Sequence, residues 1–174
     1  MTKAVRIATE GDSPPWQTAF EAKIVAPGDL ADRLARAPRP LVFTNGCFDI
    51  LHRGHVTLLA QARALGAALI VALNSDASVR QLGKGEDRPV NALADRLAII
   101  AALECVSLVT WFDEDTPIAR ILDCRPEILV KGGDWPLEKI VGNREVTGWG
   151  GRVVSIPFIH QKSTTALLDK IRSL

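Results

Sequence analysis

"LVFTNGCFDILHRGHVTLLAQARALGAALIVALN", residues 41–74, reads as strand, turn, helix and strand in succession. "LVFTN" (41–45) is a short apolar run of strand-forming residues. "GHVTLLAQARALG" places Leu58, Leu59, Ala62 and Leu65 on one helical face, with Gly66 as its stop. "ALIVALN" (68–74) is apolar throughout, as a strand covered on both faces of a parallel sheet is. Two parallel strands joined through a helix close with a right-handed crossover. Between strand and helix stands "FTNGCFDILHRGH" (43–55), where His52 and His55 flank Gly54.

The same alternation runs outward. Upstream, "GDLADRLARA" from Gly28 predicts a short helix that Asp29 caps. Downstream, "SDASVRQLGKGEDRPV" is a long polar loop with room for a short helical turn. "NALADRLAIIAAL" (91–103) is a helix capped by Asn91. "VSLVTW" is a strand, "TPIARIL" a helix with Pro117 at its first position, and "EILVK" (127–131) a strand. "LEKIVGNREVTGWG" begins as a helix, "GRVVSIP" is the last strand and "STTALLDKIRSL" the last helix. Five strands with intervening helices predict an α/β fold: one doubly wound, Rossmann-like, five-stranded parallel sheet. Residues 1–20, broken by "GDSPP", read as a flexible tail from which Trp16 and Phe20 could dock, and residues 21–174 as the domain.

Bulk properties narrow the function. A length of 174 residues suits one domain. A formal net charge of +1 gives no broad attraction for nucleic acid or anionic lipid. No apolar run approaches the roughly 20 residues of a membrane span, and no signal peptide opens the chain. Three scattered cysteines, Cys47, Cys105 and Cys124, make no disulfide framework. A cytoplasmic protein with neither nucleic acid nor membrane as partner is the expectation; homo-oligomerisation stays open.

In a sheet of this kind, ligands bind beyond the carboxyl ends of the strands. The segments at those ends are "TNGCFDILHRGH", "NSDASVRQLGKGEDRP", "KGGDW" and "HQKSTT". They are rich in anion-binding groups. Ser163 and Thr164 open a helix, where free N–H groups, hydroxyls and the helix dipole suit phosphate; the plainer reading is an N-cap. His52 and His55, with Gly54 between them and Gly46 on the turn before, can donate to phosphate oxygens at a helix start. A metal site would have to muster Cys47 and Asp49 as well. That spacing matches no zinc module, and the two would face opposite ways on a continuing strand. Lys131 can neutralise phosphate and Asp134 accept from a sugar hydroxyl, unless "KGGDW" is only a tight turn. Lys84 and Arg88 are either anion contacts or a solvated segment. Arg96 either reaches the same edge or pairs with a surface carboxylate.

Together, His52-Arg53-Gly54-His55 and Ser163-Thr164-Thr165 resemble the motifs of the cytidylyltransferase-like nucleotidyltransferases. The stretches "TNGCFDILHRGHVTLLAQARALG", "DEDTPIARIL", "EILVKGGDW" and "STTALLDKI" are similar to the branch that adenylylates heptose 1-phosphate. The resemblance implies ATP and D-glycero-β-D-manno-heptose 1-phosphate as partners, and ADP-heptose and pyrophosphate as products for the lipopolysaccharide core. It implies Mg²⁺ carried on the ATP phosphates, with no protein ligand assigned. It gives catalytic roles to His52, His55, Lys84 and Lys131. It gives nucleotide contacts to Thr44, Asn45, Gly46, Cys47, Phe48, Gly54, Asp134, Ser163, Thr164 and Thr165, and substrate contacts to Lys84, Arg88 and Arg96. Trp135 stands where the branch is expected to carry tyrosine. Competing expectations are a CTP-dependent glycerol- or ethanolamine-phosphate cytidylyltransferase and a non-catalytic nucleotide sensor.

Overall fold

The computed structural model describes residues 19–83, 85, 87–160 and 163–174. Five strands form one sheet, parallel at every pairing, in the spatial order β3-β2-β1-β4-β5. They are β1 (Leu41–Gly46), β2 (Ala68–Asn74), β3 (Leu108–Phe112), β4 (Ile128–Gly132) and β5 (Arg152–Ile156). The helices are α1 (Leu30–Leu34), α2 (Arg53–Arg63), α3 (Asp76–Gln81), α4 (Leu93–Ala101), α5 (Ile118–Cys124), α6 (Asn143–Gly148) and α7 (Thr164–Arg172).

Strand alternation divides the interior into two layers. Leu41 and Phe43 of β1, with Ile70, Ala72 and Leu129, pack against α1, α5 and α6. Val42, with Leu69, Val71 and Val130, packs against Leu58 and Leu59 of α2 and Leu97 and Ile100 of α4. β2 is buried along its whole length, as its unbroken apolar sequence requires. The chain order reverses between β1 and β4, whose contact runs through Thr44 and Val130. That reversal opens a crevice at the carboxyl ends of the strands.

Several local expectations are corrected. Asn91 does not cap α4. Its side-chain amide donates to the Asp49 carbonyl at 2.5 Å, and Ala92 holds the cap position without a side-chain bond. Asp29 stands at the start of α1 but makes no capping bond. Pro117 sits one residue before α5 rather than inside it. Segment 137–150 opens as a 3₁₀ turn, Leu137–Lys139, and becomes α-helical only after Gly142, which takes φ +89°. Helix α2 ends at Arg63. Gly66 serves packing instead: a Cβ there would lie 2.5 Å from the Pro40 carbonyl oxygen. The polar loop after β2 contains α3, whose N–H at Ser78 donates to the Ser75 hydroxyl. Most of the expected tail, with Trp16, lies outside the described residues. Phe20 packs against the α2–α4 layer, and the adjoining segment bridges β3 through the Val25 N–H and Val109 carbonyl at 2.9 Å.

Candidate active site

The histidine pair is built by the end of β1 and the start of α2. Phe48 turns the chain with φ +47°, so the strand does not continue past Gly46. Cys47 and Asp49 consequently border the same cleft, against the expectation that they face opposite ways. His52, in extended conformation, precedes α2, and His55 lies in its first turn. Their rings stack with centroids 3.7 Å apart. Phe48 meets His55 edge-on at 5.1 Å. Gly54 is buried beneath: a Cβ would come within 3.1 Å of the His52 ring and 3.3 Å of the His160 carbonyl oxygen. The glycine between the histidines thus leaves room for an imidazole folded back over the helix start.

Both imidazoles are held neutral. Burial lowers the His52 pKa. Burial, reinforced by the neighbouring His52, lowers His55 to about 4, with the Ile50 backbone opposing. The Nδ1 atoms of both are buried without a hydrogen-bond partner among the described residues. A phosphate arriving here would favour the charged forms.

Facing the histidines is the start of α7. Ser163 accepts a hydrogen bond from the Ala166 N–H at 3.1 Å, so it is a cap, as the plainer reading held. An accepting hydroxyl retains its own proton to donate. Thr164 is buried and its hydroxyl lies 3.5 Å from the Ile50 carbonyl, while Thr165 is exposed. Cys47, His52, His55, Arg88, Phe158 and these three residues surround a cleft of about 440 Å³. Two helix starts, two imidazoles and an arginine at one cleft are groups that can hold an anion.

Asp49 organises its floor. Its carboxylate accepts from the N–H groups of Val90 and Asn91, at 2.9 Å each, and from Arg88 Nε. Burial alone would raise its pKa. The Asn91 and Val90 N–H groups and the Arg88 guanidinium outweigh that and hold the carboxyl below its ordinary value. Arg88 is therefore a buried, paired cation at the cleft wall rather than part of a solvated segment. Lys84 lies outside the described residues. Arg96 does not line the cleft but lies behind it. It is fully buried and donates to the carbonyls of Asn91 (3.0 Å), Cys47 and Asn74 (2.8 Å each) and to Asp76 (2.7 Å). It ties the end of β2 to the turn after β1.

The remaining expected residues divide. Thr44 is buried within β1, its hydroxyl unpartnered among the described residues. Asn45, Gly46 and Cys47 line a second hollow, which Lys131 also borders. Asp134 is exposed on the turn after β4. Sequence reasoning missed Asp49 as the anchor of the Arg88 loop, and it missed Phe158. That ring stands 44% exposed at the cleft and fills the space over Gly132 that a Cβ would need, at 2.8 Å. Its signal was an aromatic residue just past the last strand. Among the described residues no three His, Cys, Asp or Glu side chains are grouped to hold a metal ion.

A parallel sheet that sets paired imidazoles at one helix start against hydroxyls at another, across the strand-order reversal, offers the donors that nucleotidyl transfer needs for phosphate. The chain belongs to the cytidylyltransferase-like family, whose model matches residues 43–167. It is 57% identical over 155 residues to a protein of Bordetella bronchiseptica named D-beta-D-heptose 1-phosphate adenylyltransferase, covering 88% of this chain and 96% of that one. It is 54% identical over 133 residues to the bifunctional protein HldE of Geotalea uraniireducens, where it spans 27% of the longer chain. Among solved structures, a lipopolysaccharide core biosynthesis protein from Thermoplasma volcanium superposes with a TM-score of 0.57 at 26% identity. That match covers 70% of this chain and 98% of that one. A pantoate-beta-alanine ligase from Francisella tularensis shares the fold at TM-score 0.59 and 14% identity, over 87% of this chain and 78% of that one.

Proposed function

We propose that residues 21–174 form a nucleotidyltransferase domain that moves AMP from ATP to D-glycero-β-D-manno-heptose 1-phosphate, giving ADP-heptose and pyrophosphate for lipopolysaccharide core synthesis. The observation that carries this is the 57% identity to a protein of matching length named for that activity, together with the histidine and hydroxyl cleft at the strand ends. No helix among the described residues is long and apolar enough to cross a membrane. We place the reaction in the cytoplasm, where ATP and soluble sugar phosphates meet.

The groups at the cleft support the following chemistry. A phosphate oxygen of the sugar attacks the α-phosphorus, and the bond to the β-phosphate oxygen breaks in line, releasing pyrophosphate. His52 and His55 each keep one N–H donor when neutral and stabilise the charge that builds on the transferring phosphoryl group. Ser163 and Thr165, with the N–H groups opening α7, bind the phosphates of the ground state. Arg88, oriented by Asp49, balances their charge, and Lys84 and Lys131 add to it. Asp134 takes the ribose. The cleft's donors suit phosphate oxygens, and its buried carboxylate is already engaged by Arg88 and two N–H groups. A Mg²⁺ ion here would be held through the ATP phosphates rather than by these side chains, and would supply neutralisation of phosphate charge.

A pyrophosphate-release assay crossing four nucleoside triphosphates with heptose 1-phosphate, glycerol 3-phosphate and ethanolamine phosphate tests the reading. ATP with heptose 1-phosphate should be fastest. Faster turnover with CTP and glycerol 3-phosphate would overturn it, and no turnover with any pair would point to a nucleotide sensor.

A further inference from the structure

Helix α7 brings Ser163, Thr164 and Thr165 to the cleft, yet its side chains join neither of the two apolar layers. Leu167 and Leu168 are half-buried, and Ile171 is exposed. Among the described residues, the hydrogen bonds from α7 to the rest of the domain lie at its two ends. At the start, buried Thr164 sets its hydroxyl 3.5 Å from the Ile50 carbonyl. At the last turn, the Arg172 guanidinium donates to the Asp87 carboxylate, and it lies 3.8 Å from Asp169 on its own helix. Those two ends stand about 12 Å apart along the helix axis.

Both ends lead back to Asp49. Asp87 directly precedes Arg88, which is buried against Asp49, and Asp49 directly precedes Ile50. The contacts therefore close a ring: Asp49 to Arg88, along the chain to Asp87, across to Arg172, back along α7 to Thr164, and across to Ile50. Asp49, Arg88 and Thr164 border the phosphate cleft, whereas Asp87 and Arg172 do not. The links are unequal. Asp49 and Arg88 leave 0% and 5% of their side chains exposed, and parting them strands a buried charge. Arg172 and Asp87 are 57% and 53% exposed, so their pairing is weak and screened by salt. The ring opens most easily there.

We propose that the Arg172–Asp87 pair is a clasp that seats α7 over the cleft, and that the two residues are positioning residues for the phosphate-binding hydroxyls of Ser163 and Thr165. With the clasp made, the start of α7 faces the histidines. With it broken, α7 is held at Thr164 and can pivot, which widens the way in for a triphosphate and out for pyrophosphate. A weak link suits this duty, because the cleft must admit and release a ligand in every turnover. A buried pair in its place would hold the helix shut. The inference rests on the proposed use of this cleft for ATP.

The test uses the full chain with Arg172→Met, Arg172→Lys, Asp87→Asn and the double variant Arg172→Met with Asp87→Asn. Hydrogen exchange of the α7 amides is followed without nucleotide, and ATP affinity and the sugar phosphate KM are measured at low and high salt. In each single neutralising variant, α7 exchange should quicken and ATP affinity fall, both by about two- to fivefold. The double variant should be no worse than either single change, and lysine should keep most of the natural affinity. The sugar phosphate KM and the melting temperature should not move. High salt should shrink the difference between the natural protein and the variants. Unchanged α7 exchange in Arg172→Met overturns the clasp whatever the cleft binds. Faster exchange with unaltered ATP affinity, or additive losses in the double variant, overturns the positioning role while leaving the reaction standing. If the unsubstituted protein binds no nucleoside triphosphate, the reading of the cleft fails, and the positioning role with it.

Discussion

His52 and His55 lie ring on ring, planes 18° apart and centroids separated by 3.7 Å. Two imidazoles at that distance cannot both be charged without strong repulsion, so the pair waits neutral and gains from an anion laid across it. Changing either to Ala should lower kcat by roughly 10²–10³-fold, the usual cost of one preorganised donor. ATP affinity should fall less, because Ser163, Thr165 and the helix-start N–H groups still bind ground-state phosphate. Turnover and ATP binding measured on the same variants decide it. A His55→Ala protein that melts early yet turns over normally in the cold would return the histidines to packing.

Acid should weaken the fold through the same pair. His55 titrates near 6.5 when unfolded and at about 4 in the folded protein. Between those values the unfolded chain binds more protons, so stability falls as pH drops from about 6.5 and is level above it. His52 acts in the same direction. The lowered carboxylates Asp49 and Glu127 contribute stability that is lost only below their ordinary values of 3.8 and 4.5. Urea midpoints at pH 7.5, 6 and 5 should therefore decline in the natural protein and decline less in His55→Gln. Equal slopes in the two would separate the loss from His55.

The five strands were legible because each is an apolar run bounded by turn residues, and a fully buried β2 admits no other reading. The histidine and hydroxyl motifs were legible because helix starts advertise themselves in sequence. Partnerships between distant segments were not. Nothing near Arg96 announces that its guanidinium will meet three carbonyls from three different segments, or that Asn91 will serve Asp49 rather than its own helix. Phe48 hid the course of the turn after β1, since a positive φ at phenylalanine is set by its surroundings and not by its propensity.

Gly132 is predicted to report on Phe158. A Cβ at Gly132 would stand 2.5 Å from Leu58 Cδ2 and 2.8 Å from the Phe158 ring, and the half-exposed ring is the easier of the two to move. Gly132→Ala should destabilise by about 1–3 kcal/mol through overpacking. Phe158→Ala should remove part of that cost, so the double variant should melt higher than additivity allows. Strict additivity would place the whole strain at Leu58.

The buried pair Asp49 and Arg88 should separate stability from turnover. Asp49→Ala leaves a guanidinium buried without its carboxylate, and strands the N–H groups of Val90 and Asn91. Removing one member of a buried pair costs about 3–5 kcal/mol, or roughly 6–20 °C in melting temperature for a chain of this length. Arg88→Met should cost less, because the carboxylate keeps both backbone donors, yet Arg88 borders the phosphate cleft. Its loss should raise the KM for a phosphorylated substrate while lowering the melting point less than Asp49→Ala does. The two variants therefore predict opposite rankings: Asp49→Ala worse in thermal melting, Arg88→Met worse in substrate affinity at a temperature where both are folded. If Arg88→Met proved the less stable and kept normal substrate affinity, the arginine would be a structural counter-ion to Asp49 with no part in binding.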